Sequence, residues 1–515
     1  MLLQKTAFTG LFWILFFFNV FAQNSAVDKI DKDGLHEHLS YLASDELQGR
    51  CLGTQANGLE MAANYIAEQA EKIGLKPGFP AYSQKVPLVS SRPDPESFVE
   101  VSKENGKPVF RTSDFIRLDG RMEEEVLSDA AIVMVGFGDI DDETDVSGNV
   151  VLVAQGKAKG FPESAKFSWH NREERRKIRS LGEKNPAAIV LVTCPRDRHN
   201  HAFNELKAWN NRESYSLANT QTNNGIPVLV ALPRLADKIL GGKGQFEKYL
   251  VSVAATGEKQ AMVVDDRYIS MESKVIKNEI NARNIVGYVE GSDPVLKNEC
   301  VVFMAHYDHV GVDQSGDVYN GADDNGSGTV AIMEVAEAFA SLDPKPKRSI
   351  VFLWVTSEEL GMFGSNYYSQ HPLFPLDKTV TCFNLDMVGR VFEPHDTIWN
   401  KSPKKVKDFD GLYTLSNNAW PELAEINRQK CEEMGLVPDT ALPDYFLRVS
   451  DHYNFHKNGV PVLNYATGYH ADYHQVGDDV DKINFDKLKR VAELCFWMGL
   501  DIANRQEIHR KIKEE

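Results

Sequence analysis

The chain has 515 residues, of which 42% are hydrophobic, 25% charged and 10% aromatic. This is ordinary globular composition, and it excludes a disordered chain, a collagen and a mini-protein that depends on disulfides. Lys+Arg number 57 against 74 Asp+Glu, a net charge of −17, so the basic footprint of a nucleic-acid binder is missing. At about 150 residues per domain the length suggests two or three units, enough to bury a sizeable core.

Residues 1–22 read as an address. One Lys precedes an apolar run from Leu11 to Phe18, and Val20-Phe21-Ala22 offers a cleavage site, the pattern of a secretory signal peptide. The run falls short of the roughly 20 apolar residues that span a bilayer. The expectation is a secreted or periplasmic protein with no stable membrane association. Cys51, Cys194, Cys300, Cys382, Cys431 and Cys495 form no CxxC pair; disulfides are permitted in that compartment, but buried free thiols serve equally well.

Residues 23–126 are expected to be the N-terminal part of a domain that an insert splits. LHEHLSYLAS and GLEMAANYIAEQAEKIGL carry helical periodicity, the second closed by Gly74, with the polar loop LQGRCLGT between them. Near Asp129 the character changes to short apolar runs bounded by Gly (AAIVMVGFG, GNVVLVAQG, AAIVLVTC, IPVLVAL) around a basic, helix-like stretch, KFSWHNREERRKIRSLGEK. The latter is expected to be a solvated helix face. The block 127–262 resembles the protease-associated domain, a small β-rich insert. From Asn281 strands and helices alternate, as in an α/β domain. NIVGYVEG, CVVFMA, SIVFLWVT, TVTCFNLD and PVLNYA are strand candidates, NGSGTVAIMEVAEAFASL is a buried helix, and a helix over 485–504 closes a domain spanning 263–515.

His and carboxylate residues gather where these strands end. His306 and Asp308 follow the strand 300–305, Glu358 and Glu359 follow 349–356, Asp386 closes 379–386, and His474 lies beyond 461–466; Asp323 lies in the loop before the buried helix. If the strands are parallel, these residues project to one edge of the sheet, where open α/β sheets bind ligands. His and carboxylate without Cys suit zinc or a similar ion. Two His and three carboxylates exceed what one open zinc site needs and suit two ions sharing a carboxylate, an arrangement that activates water and stabilises an oxyanion.

The segments AHYDH (305–309), GADDNGSG (321–328), SEELG (357–361), NLDMVGR (384–390) and DYHQVGD (472–478), with LASDELQGR (42–50) ahead of them, resemble the M28 family of zinc peptidases. The resemblance implies a three-layer α/β/α sandwich with a mixed, largely parallel sheet. It further implies two Zn2+: His306 and Asp386 on one, Glu359 and His474 on the other, and Asp323 as the bridge. Asp308 would orient His306, and Glu358 would be the general base on the bridging water. His309, Asp324, Asp451 and His452 receive no role. The activity so implied is hydrolysis of N-terminal residues from peptides. The alternatives are a carboxypeptidase, for which Arg390 is a conceivable carboxylate partner, a one-zinc glutaminyl cyclase, and a non-catalytic binding module. HExxH, GxSxG and P-loop motifs are absent.

Overall fold

The computed structural model describes residues 23–509, apart from 119–122, 142–143, 160, 162–171, 197–199, 219–224, 257–260, 392–408 and 441–443. The leader expected over 1–22 lies outside the described residues. Among the described residues no helix is long and apolar enough to cross a membrane.

The chain forms two compact units, Met1–Pro87 with Asn281–Glu515, and Leu88–Ile280. The first is an α/β unit. Its sheet runs Val437–Asp439, Gly411–Ser416, Val462–Ala466, Thr379–Leu385, Cys300–His306, Ser349–Val355, and then the strand ending at Val289. The four strands from Val462–Ala466 to Ser349–Val355 are mutually parallel, and their two flanking neighbours are antiparallel to them. Side chains alternate across a strand, and here both faces are apolar. Val301, Phe303 and Ala305 enter one core with Ile350, Phe352 and Trp354. Val302 and Met304 enter the other with Val351, Leu353 and Val355. Each such buried side chain contributes about 1.5–3 kcal/mol.

Helices Lys32–Leu42, Gly58–Ile73, Gly328–Ser341 and Phe485–Asn504 supply the first core; Tyr368 of Phe363–Gln370 and Phe455 of His452–His456 pack into the second. A sheet covered on both faces gives the three-layer α/β/α sandwich. Helix boundaries follow ordinary capping chemistry. Asp31 accepts the Gly34 N–H at 2.8 Å, Asn484 accepts that of Lys487 at 3.0 Å, and Gly74 ends its helix at φ 83°. Among the described residues no disulfide joins the six cysteines, and five of them are buried.

The second unit is wider than the block 127–262. Phe98–Ser102, Pro108–Thr112 and Phe115–Arg117, expected to belong with the N-terminal segment, pair into its eight-stranded sheet. Within that sheet Glu125–Met134, Val150–Ala154, Ala188–Val192 and Val228–Ala231 run parallel, so the unit is itself α/β. The described part of the basic stretch forms the helix Arg172–Gly182.

Candidate metal centre

The four parallel strands of the first unit point their C-terminal ends to one edge, and three left-handed residues turn the chain there. Ser357 (φ 57°) precedes Glu358, Met387 (φ 58°) follows Asp386, and His474 itself has φ 52°. Non-glycine residues rarely adopt this region, so the turns are held by the packing around them. They aim the side chains of separate strands into one cleft, lined by His306, Asp324, Glu358, Glu359 and Asp386 together with aromatic residues that include Phe446, Tyr469 and Tyr473.

Four of the five expected ligands, His306, Glu359, Asp386 and His474, converge there; Asp323 does not. Its Oδ1 accepts the Gly389 N–H at 2.7 Å and its Oδ2 lies 3.2 Å from His470 Nε2. Those contacts turn it away from the cleft. Its neighbour Asp324 stands between the two groups instead. Asp324 Oδ1 is 3.5 Å from His306 Nε2, and Asp324 Oδ2 is 3.1 Å from His474 Nε2 and 3.8 Å from His309 Nδ1. The aspartate common to both groups is thus Asp324, where Asp323 was expected.

One atom each from His309, Asp324, Glu359 and His474 lie within 4.8 Å of one another, as do those of His306, Asp324 and Asp386. Ligand atoms about 2.1 Å from a tetrahedral zinc sit roughly 3.4 Å apart. The closest spacings here match: His474 Nε2 to Glu359 Oε2 3.1 Å, His309 Nδ1 to Glu359 Oε1 3.0 Å, and His306 Nε2 to Asp386 Oδ1 3.4 Å. His474 Nε2 is shielded from solvent and has no directed hydrogen bond, although two carboxylates face it. Such a donor set fits a divalent cation in each group, with Asp324 common to both.

Asp308 acts differently from expectation. His306 Nδ1 lies 3.2 Å from the Asp308 main-chain oxygen and 3.8 Å from its carboxylate. The carboxylate instead accepts the N–H groups of Glu358 (3.0 Å) and Glu359 (3.2 Å), fixing the segment that carries both. Ser450 was not singled out in the sequence; its hydroxyl donates to Asp386 Oδ2 at 2.6 Å, which leaves Oδ1 facing His306. Tyr473 stacks on His474 with ring centroids 4.0 Å apart.

The electrostatics describe a site short of positive charge. Burial, opposed by His306 and reinforced by Asp451, Asp386 and Glu359, raises the Glu358 carboxyl well above its ordinary range. Burial likewise raises Asp324, with Glu359 adding to it, and lifts Asp308 to about 6. Burial also works to raise Glu359, but the close His309 and His474 rings outweigh it and hold this carboxyl low. His474 is raised to about 10, because its contacts with Asp324 and Glu359 exceed the opposing effect of burial.

An α/β/α unit that gathers histidines and buried carboxylates at the ends of its parallel strands has the form of a metallohydrolase. Residues 284–498 match the model for peptidase family M28. The chain is similar to aminopeptidase YwaD of Bacillus subtilis (strain 168), 29% identical over 255 residues, covering 48% of this chain and 50% of that one. It is also similar to leucine aminopeptidase 2 of Arthroderma otae, 28% identical over 257 residues, covering 45% and 47%. The chain thus spans about half the length of these curated relatives. Among solved structures, an aminopeptidase from Aneurinibacillus sp. strain AM-1 aligns with a TM-score of 0.50 and 17% identity over 96% of this chain and 98% of that one, a likeness of fold.

Proposed function

We propose that the protein is an exported, zinc-dependent aminopeptidase that removes N-terminal residues from peptides. The observation that carries this reading is the sharing of Asp324 between two groups of ligand atoms beside a buried carboxylate, Glu358, that lines the same cleft. His306, Asp324 and Asp386 would hold one ion, and Asp324, Glu359 and His474 the other, with His309 against Glu359. When bound, a zinc pair polarises the peptide carbonyl and makes hydroxide available near neutral pH.

The chain's own residues supply the rest. Glu358, raised by burial, takes a proton from the attacking water and returns it to the leaving amine. Asp308 holds Glu358 in place through its main-chain N–H. Ser450 holds Asp386. Phe446, Tyr469 and Tyr473 close the cleft with aromatic surface, which limits water around the reacting groups.

Polarity follows from charge. Among the described residues lining the cleft there is no Lys or Arg, and acidic walls suit a substrate's α-ammonium better than a terminal carboxylate. Arg390, the candidate for a carboxypeptidase, is engaged by Asp472 at 3.0 Å and lies 3.8 Å from Asp478. A glutaminyl cyclase with one zinc would leave one of the two groups without purpose. The leader sequence supports export, and the unit Leu88–Ile280 is read as a protease-associated-like insert.

Peptides blocked at either end test the activity. N-terminal acetylation should abolish cleavage, and C-terminal amidation should leave it within a few-fold. The opposite pattern would assign a carboxypeptidase.

A further inference from the structure

The segment LASDELQGR has no part in the ion-binding groups, yet it carries one of the largest fully buried side chains of the molecule. Arg50 is 1% exposed and has no carboxylate within ion-pairing distance among the described contacts. It spends its donors on main-chain carbonyls instead. Nε donates to Tyr307 O at 2.8 Å. Nη1 donates to Leu42 O at 2.5 Å and Asn320 O at 2.6 Å. Nη2 donates to Gly321 O at 2.8 Å. The Arg50 carbonyl in turn accepts the His309 N–H at 3.2 Å.

These partners have a pattern. Tyr307 lies between His306 and Asp308, and His309 follows them. Asn320 and Gly321 lead into Asp324. Arg50 thereby ties the loop with His306 and His309 to the loop with Asp324, and ties both to the end of the helix Lys32–Leu42. From the other side, buried Asp478 accepts the N–H groups of Asp323 at 3.0 and 3.1 Å and of Asp324 at 3.0 Å. The ligand loop is gripped through its carbonyls by a cation and through its N–H groups by an anion. The geometry that places Arg50 there is itself unusual. Gln48, Gly49 and Arg50 all have positive φ, at 45°, 65° and 45°. A Cβ on Gly49 would sit 2.5 Å from both Gly311 O and Tyr319 O, so only glycine admits this approach.

We propose that Arg50 is a positioning residue of the ion site, setting the separation of the His306–His309 and Asp324 loops on which joint ligation by Asp324 depends. The proposal rests on the two-ion reading. A planar guanidinium with five donors spans carbonyls on three segments; a lysine ammonium presents its three donors from one atom and cannot.

The test compares full-length wild type, Arg50→Lys, Asp478→Asn and Val491→Ala, the last a core change in the terminal helix. Zinc affinity is measured by chelator competition, and melting temperature with and without zinc. Arg50→Lys and Asp478→Asn should each weaken zinc binding at least tenfold and shrink the zinc-induced rise in melting temperature. Val491→Ala should lower the melting temperature of the metal-free protein and leave zinc affinity within twofold. A wild type that binds zinc while Arg50→Lys binds it equally well overturns the proposal alone. A wild type that binds no divalent ion overturns the two-ion reading and the proposal with it. Failure of both Arg50→Lys and Asp478→Asn to fold would assign these residues to the frame of the unit and would also overturn it.

Discussion

Asp323 and Asp324 are both buried, and they differ in what their oxygens face. Asp323 is held by Gly389 N–H and stands beside His470, while Asp324 turns one oxygen to His306 and the other to His474. Asp324→Asn should therefore lose bound metal and activity together. Asp323→Asn keeps an acceptor for Gly389, so it should retain the metal and lose about 1 kcal/mol of stability; metal analysis and thermal melting of both variants check this. Glu358→Gln should retain both ions and lower kcat by about 10²–10⁴-fold, the range for a positioned acid or base. A near wild-type kcat would remove Glu358 from its role. At this scale the gathering of His306, Glu359, Asp386 and His474 at one edge of the sheet was legible, because each sits at or beyond the end of a strand of unmistakable apolar character. The choice between two adjacent aspartates was not. They are the same residue type in an irregular turn, where Asp324 has non-helical angles (φ −102°, ψ 97°), so no periodicity tells which one faces the strands. His309 was passed over in the same way, although it closes the recognised segment AHYDH.

Among the elements, the helix Lys32–Leu42 meets Gly328–Ser341 through a buried carboxyl. Glu334 Oε2 accepts the Asp31 N–H at 3.1 Å, and His38 Nε2 lies 3.7 Å from Oε1. Burial raises Glu334 to about 8, opposed by the hydrogen bond from the Asp31 N–H and by Lys489 and reinforced by the charges of Asp31 and Glu337. A raised carboxyl keeps its proton in the folded chain after the unfolded chain has lost it. Stability consequently falls as pH rises from about 4.5 to about 8. Glu334→Gln removes that dependence. Its melting temperature should match the wild type near pH 4.5 and exceed it by a widening margin towards pH 8.5. His38, pushed down by burial, acts below its ordinary value with the opposite sign and is common to both proteins. A constant gap across this range would show that Glu334 titrates normally. The terminal helix was readable to the residue, Phe485–Asn504, since its apolar spacing is long and its cap is an ordinary asparagine. The helix expected from Asn325 starts at Gly328; ahead of it Asn325 donates to Leu385 O and Ser327 to Asp323 O, so these side chains serve the irregular turn.

For the whole molecule, sequence identified the α/β class and its central strands, since parallel strands buried on both faces read as unbroken apolar runs. It placed the border of the second unit too late. Residues 98–117 form short strands whose partners lie far along the chain, Phe98–Ser102 against Met262–Ser273 and Phe115–Arg117 against Val228–Ala231. Pairing over such separations leaves no local signature. The account as a whole depends on two groups of side chains, drawn from the ends of separate strands, sharing one aspartate. The most direct measurement is anomalous diffraction from crystals of the zinc-loaded protein. It should show two peaks of similar height about 3.5–4 Å apart, with Asp324 between them, His306 and Asp386 against one, and Glu359 and His474 against the other. A single peak, or zinc bound without Asp324, would contradict it.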